Sequence, residues 1–254
     1  MPTALVTGAS SGLGAEFARQ LAAAGWDLVL VARDVDRLET AAAEVRAAHK
    51  VTVDVLAADL VTDDGCARVA SRLAADPPIG VLVNNAGVGT YRAFGEAELE
   101  AEEQQLDLNV RAVLRLTHAA VTAMRPRGDG RVVNVSSVAG FVPRPGNVTY
   151  SASKAWVTIF SEALSLQLAG SGVSVTAVCP GFTHTEFHER ASADMSSVPE
   201  RMWLDARDVV REGLADAFRG APLSVPSKRY KALVGVAGAL PRPVLRAIMA
   251  RRGM

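Results

Sequence analysis

The 254-residue sequence predicts an α/β fold, a parallel sheet with helices on both faces, and three observations carry that reading. Short β-branched or leucine-rich runs recur along the chain. Between them lie segments with apolar residues every three or four positions, and strands alternating with helices imply βαβ units and right-handed crossovers. Hydrophobic residues make up 49% of the chain and aromatic ones only 5%, which suits an interior packed with Ala, Val and Leu. No Pro/Ser-rich linker or internal repeat divides the sequence, so residues 1–254 read as one domain.

Thr3–Val6 is the first run, and it breaks into Gly8-Ala9-Ser10-Ser11-Gly12-Leu13-Gly14 before a helical stripe of Leu13, Phe17, Leu21 and Ala24. Leu28–Val31 is the second run, followed by the stripe Val35, Leu38, Ala42 and Val45. Further runs lie at Val51–Leu56, Val81–Val83, Val132–Val135 and Val173–Val178. A long helix is expected around Ala101–Met124, then the turn RPRGDG at Arg125–Gly130. Another helix is expected around Ser151–Ala169, ending near Gly170 and Gly172. Residues 181–204 are too irregular for a sheet element and sit where an α/β enzyme carries a substrate loop. Asp205, with Asp208 three residues on, reads as an N-cap for a helix to Phe218, stopped by Gly220. Residues 228–252 read as a C-terminal helical segment.

A glycine-rich turn between a strand and a helix is the context of a dinucleotide site. Gly8 permits the tight turn, Gly12 lets backbone approach a pyrophosphate, and Gly14 permits close helix–strand packing. Free N–H groups and the dipole at the helix start favour an anion. A flexible βα turn is the plainer alternative for these residues alone.

Seven segments taken together resemble the short-chain dehydrogenase/reductase family. TGASSGLG, Asp59-Leu60, Asn84-Asn85-Ala86-Gly87, Asn109, Ser137, Tyr150-Ser151-Ala152-Ser153-Lys154 and Pro180-Gly181 match its successive motifs in order, over residues 3 to about 185. The resemblance implies a Rossmann-type, doubly wound parallel sheet of about seven strands in the order 3-2-1-4-5-6-7. It implies an oxidoreductase moving hydride between a nicotinamide cofactor and a carbonyl/alcohol substrate. It also implies a homodimer or homotetramer built on the two long helices.

By the family's spacing, Ala32 stands where an acid would bind the adenosine ribose 2′-OH, and Arg33 follows it. An arginine there can pair with a 2′-phosphate, so NADP(H) is favoured and NAD(H) remains possible. Relatives that bind NADP often carry a basic residue where this chain has Ser11, and a solvated cation is the alternative for Arg33. Gly8, Ser10, Ser11, Gly12, Leu13 and Gly14 are the expected pyrophosphate loop. Asp59 and Leu60 should lie by the adenine, and Asn85, Ala86 and Gly87 by the adenosine. Pro180, Gly181, Thr183 and Thr185 should meet the nicotinamide end, although the family often has a branched apolar residue in place of Thr183.

Tyr150 and Lys154 are spaced i, i+4 and share a helix face. A free tyrosine titrates near 10, and a nearby ammonium favours its phenolate, so such a pair can exchange a proton with a carbonyl oxygen. The resemblance adds that Lys154 binds the nicotinamide ribose, that Ser137 hydrogen-bonds the substrate oxygen, and that Asn109 holds a water in a proton relay. Adjacent Ser136 would point to the other side of an extended chain. A non-catalytic NADP-binding sensor or scaffold is the rival, marked by a broken Ser/Tyr/Lys set. Here the set is whole.

Lys plus Arg and Asp plus Glu are both 27, so no bulk positive field suggests nucleic acid. Cys66 and Cys179 form no metal spacing, and two buried thiols suit a cytoplasmic protein. His184 and His188 stand i, i+4 with no third ligand evident, so no metal is expected. Phe141, Trp156, Phe182, Phe187 and Trp203 are candidates to line an apolar ketone pocket, or to pack as ordinary core. The apolar run Ala232–Leu240 is too short to span a membrane. The last stretch sets Val244, Leu245, Ile248 and Met249 against Arg242, Arg246 and Arg251, a pattern that can cover the protein's own core, a partner subunit or an anionic membrane surface.

Overall fold

The computed structural model describes residues 1–90, 92–191, 195–196 and 198–252. Four residues of the expected substrate loop, 192–194 and 197, therefore lie outside the described residues. The strands are β1 (Thr3–Thr7), β2 (Asp27–Ala32), β3 (Val53–Ala57), β4 (Ile79–Asn84), β5 (Gly130–Val135), β6 (Val173–Val178) and β7 (Leu223–Ser224). They form one sheet in the order β3-β2-β1-β4-β5-β6-β7, every pair parallel.

Both faces are covered, which is why the central strands read as unbroken apolar runs. Alternate side chains serve opposite layers. Val6 and Leu30 pack with Phe17, Leu21, Leu38 and Val210, while Leu5 and Val29 pack with Val69, Leu73, Leu116 and Met124. The first layer is supplied by α1 (Gly12–Ala23), α2 (Val35–Ala48) and α8 (Ala206–Phe218). The second is supplied by α3 (Asp63–Ala74) and α5 (Val113–Met124), with α6 (Val148–Gln167) packing beside β6. Polar caps begin several of these helices: Asp34 accepts from the Arg37 amide, Thr62 from Gly65, and Asp205 from Arg207.

Three elements differ in detail from the sequence expectations. The long helix begins as α4 (Leu99–Leu106), widens into a π-helical turn over Asp107–Ala112, and resumes as α5. Asn109 sits inside that wide turn, with its side chain drawn onto the backbone of Val88. β7 is only two residues long and carries no apolar run; it is held by bonds from the Ala177 amide to Pro222 and from the Cys179 amide to Ser224. The C-terminal segment is two helices, α9 (Lys228–Ala239) and α10 (Arg242–Arg252), because Pro241 cannot continue the first. A four-residue helix, α7 (Phe187–Arg190), lies in the loop after β6. Among the described residues no helix is long and apolar enough to cross a membrane.

Candidate functional site

A cleft of about 570 Å³ opens beyond the carboxyl ends of β1, β4, β5 and β6. Its glycine-rich wall is locked to the next βα loop by Thr7. The Thr7 hydroxyl donates to the Val83 carbonyl at 3.3 Å and accepts from the Asn85 and Ala86 amides at 3.0 and 3.1 Å. The Asn85 side-chain amide donates to the Thr7 and Gly8 carbonyls at 3.0 and 3.3 Å. Asn85 thus spends its donors on shaping the wall.

The cleft fits a nucleotide cofactor. Gly8 has φ +64°, and a Cβ there would stand 2.9 Å from Ala86 Cα. Ser11, the N-cap of α1, makes no side-chain bond to the helix, leaving its opening amides without that internal acceptor. Arg33 lines the other end and has no carboxylate partner among the described residues. Asp34, the nearest acid in sequence, is turned to cap α2.

All but two of the expected site residues line this cleft: Gly8, Ser10, Ser11, Gly12, Leu13, Arg33, Asp59, Leu60, Asn85, Ala86, Gly87, Ser137, Tyr150, Lys154, Pro180, Gly181, Thr183 and Thr185. Gly14 and Asn109 do not. Gly14 sits behind the wall, where a Cβ would fall 2.0 Å from the Gly8 carbonyl oxygen, so it serves packing. Asn109 is fully buried behind the cleft. Its Oδ1 accepts from the Val88 amide at 3.0 Å, and its Nδ2 donates to the Val88 carbonyl at 2.8 Å and to Ser153 Oγ at 3.3 Å. Thr183 and Thr185 also use their hydroxyls locally, on the Gly181 carbonyl and the Phe187 amide. Asp59 accepts from the Val61 amide at 3.1 Å.

Tyr150 and Lys154 enter from the first turns of α6, both nearly buried. Lys154 Nζ donates to the Val135 carbonyl at 2.9 Å and lies 5.6 Å from the centre of the Tyr150 ring. Burial pushes the ammonium of Lys154 down to about 8. Cys179 beside it is pushed up to about 11 by burial, so it stays a neutral thiol. Ser137 ends the β5 loop with its Oγ accepting from the Ala139 amide at 3.1 Å, which leaves its proton available. The Ser136 hydroxyl instead meets the Lys154 carbonyl and Thr158 at 2.7 and 2.8 Å, beneath α6.

Two of the aromatic candidates, Phe182 and Phe187, line the cleft. The Phe187 ring is 5.7 Å from Tyr150, and Trp203 backs Phe182 at 5.8 Å. Trp156 stacks on Phe160 along α6, away from the cleft. His184 precedes α7 and stacks on Trp203; the side chain of His188 lies outside the described residues. Among the described residues no cluster could hold a metal ion.

Among the cleft residues that sequence reasoning missed are Arg37, Asn147 and Arg144. Arg37, in the first turn of α2, grips both oxygens of Glu186 at 2.9 and 2.8 Å, tying α2 to the loop after β6. Its place four residues after Arg33 was a readable signal. Asn147, three residues before Tyr150, is buried with its Oδ1 unpartnered among the described residues. Arg144 lies with its guanidinium 5.7 Å from the centre of the Phe182 ring.

The short chain dehydrogenase family model matches residues 2–196. A putative ketoacyl reductase of Streptomyces coelicolor is 41% identical over 234 residues, covering 89% of this chain and 84% of its own. Sulfoacetaldehyde reductase of Chromohalobacter salexigens is 37% identical over 187 residues, 72% of each chain. Among solved structures, a short-chain dehydrogenase from Sphingobium yanoikuyae in complex with NADPH superimposes with a TM-score of 0.86 at 39% identity, covering 94% of both chains.

Proposed function

Because the chain belongs to the short-chain dehydrogenase family, and is an oxidoreductase of it, we propose that it is an NADP(H)-dependent reductase of apolar ketones. One observation carries the reading: Ser137, Tyr150 and Lys154 share a cleft with an uncompensated Arg33. That intact set disfavours a non-catalytic sensor.

When bound, the nicotinamide supplies or accepts the hydride. The residues of this chain do the rest. Gly8 to Leu13 and the start of α1 would hold the pyrophosphate, and Arg33 the 2′-phosphate. Lys154 would hold the nicotinamide ribose and, through its positive charge, favour the phenolate of Tyr150. The Ser137 hydroxyl orients the substrate oxygen, and Tyr150 gives that oxygen its proton during reduction. Asn109 acts as a positioning residue, fixing Val88 beside the cleft. Phe182 and Phe187 exclude water and favour an apolar substrate body.

The acting unit is one domain, residues 1–254. Exposed Leu106 and Leu114, with Ile159 and Leu166 on α6, suit a homodimer or homotetramer. Light scattering at micromolar concentration tests this, and a monomer would remove it. Two buried, unpaired cysteines fit a cytoplasmic setting.

NADPH consumption against a ketone panel, with Tyr150→Phe as control, tests the function. The substitution should lower turnover by about 10²–10⁴-fold while NADPH fluorescence titration is unchanged. Near-normal turnover in the variant would overturn the assignment.

A further inference from the structure

The charge of this neutral chain is divided sharply along its length. Residues 228–254 carry seven Lys and Arg and no Asp or Glu, leaving an excess of seven acids in the rest. The same segment forms α9 and α10, and these helices leave part of their apolar surface exposed. Leu233 and Val236 on α9 are 50% and 60% exposed, and Val244 and Ile248 on α10 are 45% and 39% exposed. Tyr230 and Leu245 are the buried anchors. Among the described residues, Lys231 pairs with Glu212, while Lys228, Arg229, Arg242 and Arg246 have no carboxylate partner.

We propose that α9 and α10 form a docking surface for an anionic lipid bilayer, seating the enzyme peripherally on a membrane. Exposed apolar side chains and unpaired cations on the same two helices match the acyl boundary and charged headgroups of such a surface. A second copy of this chain fits less well, because an isologous contact would set Lys228, Arg229, Arg242 and Arg246 against the same four cations. The segment is also joined to the active cleft. The Tyr230 hydroxyl accepts from the Phe182 amide at 3.1 Å and donates to the Met202 carbonyl at 2.9 Å, so α9 holds the loop that lines the cleft. A bilayer against α9 places the substrate loop near a reservoir of apolar carbonyl compounds.

The test is co-sedimentation of the full chain with phosphatidylcholine vesicles, with and without phosphatidylglycerol. Binding should require phosphatidylglycerol and fall with added salt. Arg242→Gln with Arg246→Gln should weaken it about thirtyfold. Val236→Asp with Ile248→Asp should abolish it while unfolding temperature and turnover of a water-soluble ketone stay unchanged. No binding to anionic vesicles, or equal binding to neutral ones, would overturn the proposal. So would a homo-oligomer that dissociates in the Val236→Asp variant, since a second copy would then cover this face. Ketone turnover is measured separately, so failure here leaves the reductase reading standing.

Discussion

Asn109 and Val88 exchange two hydrogen bonds, side-chain amide to backbone, at 3.0 and 2.8 Å. The pair imitates the rung of a sheet and closes β4's loop onto the π-helical turn. Asn109→Ala strips both partners from Val88, and each polar group left buried costs about 1–3 kcal/mol. Thermal unfolding should shift down accordingly. Turnover should fall with it, because Gly87 and Val88 edge the cleft. Unchanged stability with lost turnover would instead mean that Asn109 acts on the chemistry directly.

Lys154 gives a pH dependence with opposite signs for activity and stability. Its folded-state value of about 8 is lowered by burial from an ordinary lysine's. Between about 8 and 10.4 the unfolded chain holds a proton that the folded chain has released, so this group makes stability rise with pH across that window. The positive charge needed beside Tyr150 is lost over the same range. Reductase kcat/KM should therefore decline above pH 8 while thermal stability does not, and Lys154→Arg should move the decline upward. A decline that tracks unfolding would refute the assignment.

The sheet was readable because its central strands are buried on both sides, giving unbroken runs such as Leu28–Val31. β7 was not, since its two residues, just after Pro222, are held by backbone bonds that leave no mark on composition. In the site, Tyr150 and Lys154 were legible from their helical spacing taken with Ser137 and the other motifs in order. The buried relay Asn84–Asn134–Ser161, at 2.9 and 3.0 Å behind the cleft, was invisible, because its members meet across 50 and 27 residues. Gly14 was legible as a packing glycine, but only coordinates show that its packing excludes it from the cleft wall.

Arg33 and Arg37 both line the cleft, four residues apart in sequence, and they are in different states. Arg33 has no carboxylate partner among the described residues, whereas Arg37 is held bidentate by Glu186. A 2′-phosphate at Arg33 would therefore displace no carboxylate among the described residues. Arg33→Ala should raise KM for NADPH about 10–100-fold, the worth of a charge-assisted contact, and leave KM for NADH nearly unchanged. Equal effects on both cofactors would remove the phosphate role. Glu186→Gln frees the Arg37 guanidinium, so KM for NADPH should fall modestly.

Asn147 presents a buried amide oxygen with no donor among the described residues, three positions before Tyr150 and lining the same cleft. An acceptor in that condition costs about 1–3 kcal/mol unless something bound in the cleft supplies a proton donor. The N-cap position does not explain it, because its side chain makes no bond to α6. Asn147→Leu keeps the volume and removes the orphan. Unfolding temperature should hold or rise, KM for NADPH should stay, and KM for the ketone should increase. Those three readings together mark a residue kept for ligand binding at the expense of stability. A lower unfolding temperature with unchanged KM would show that the amide serves the fold.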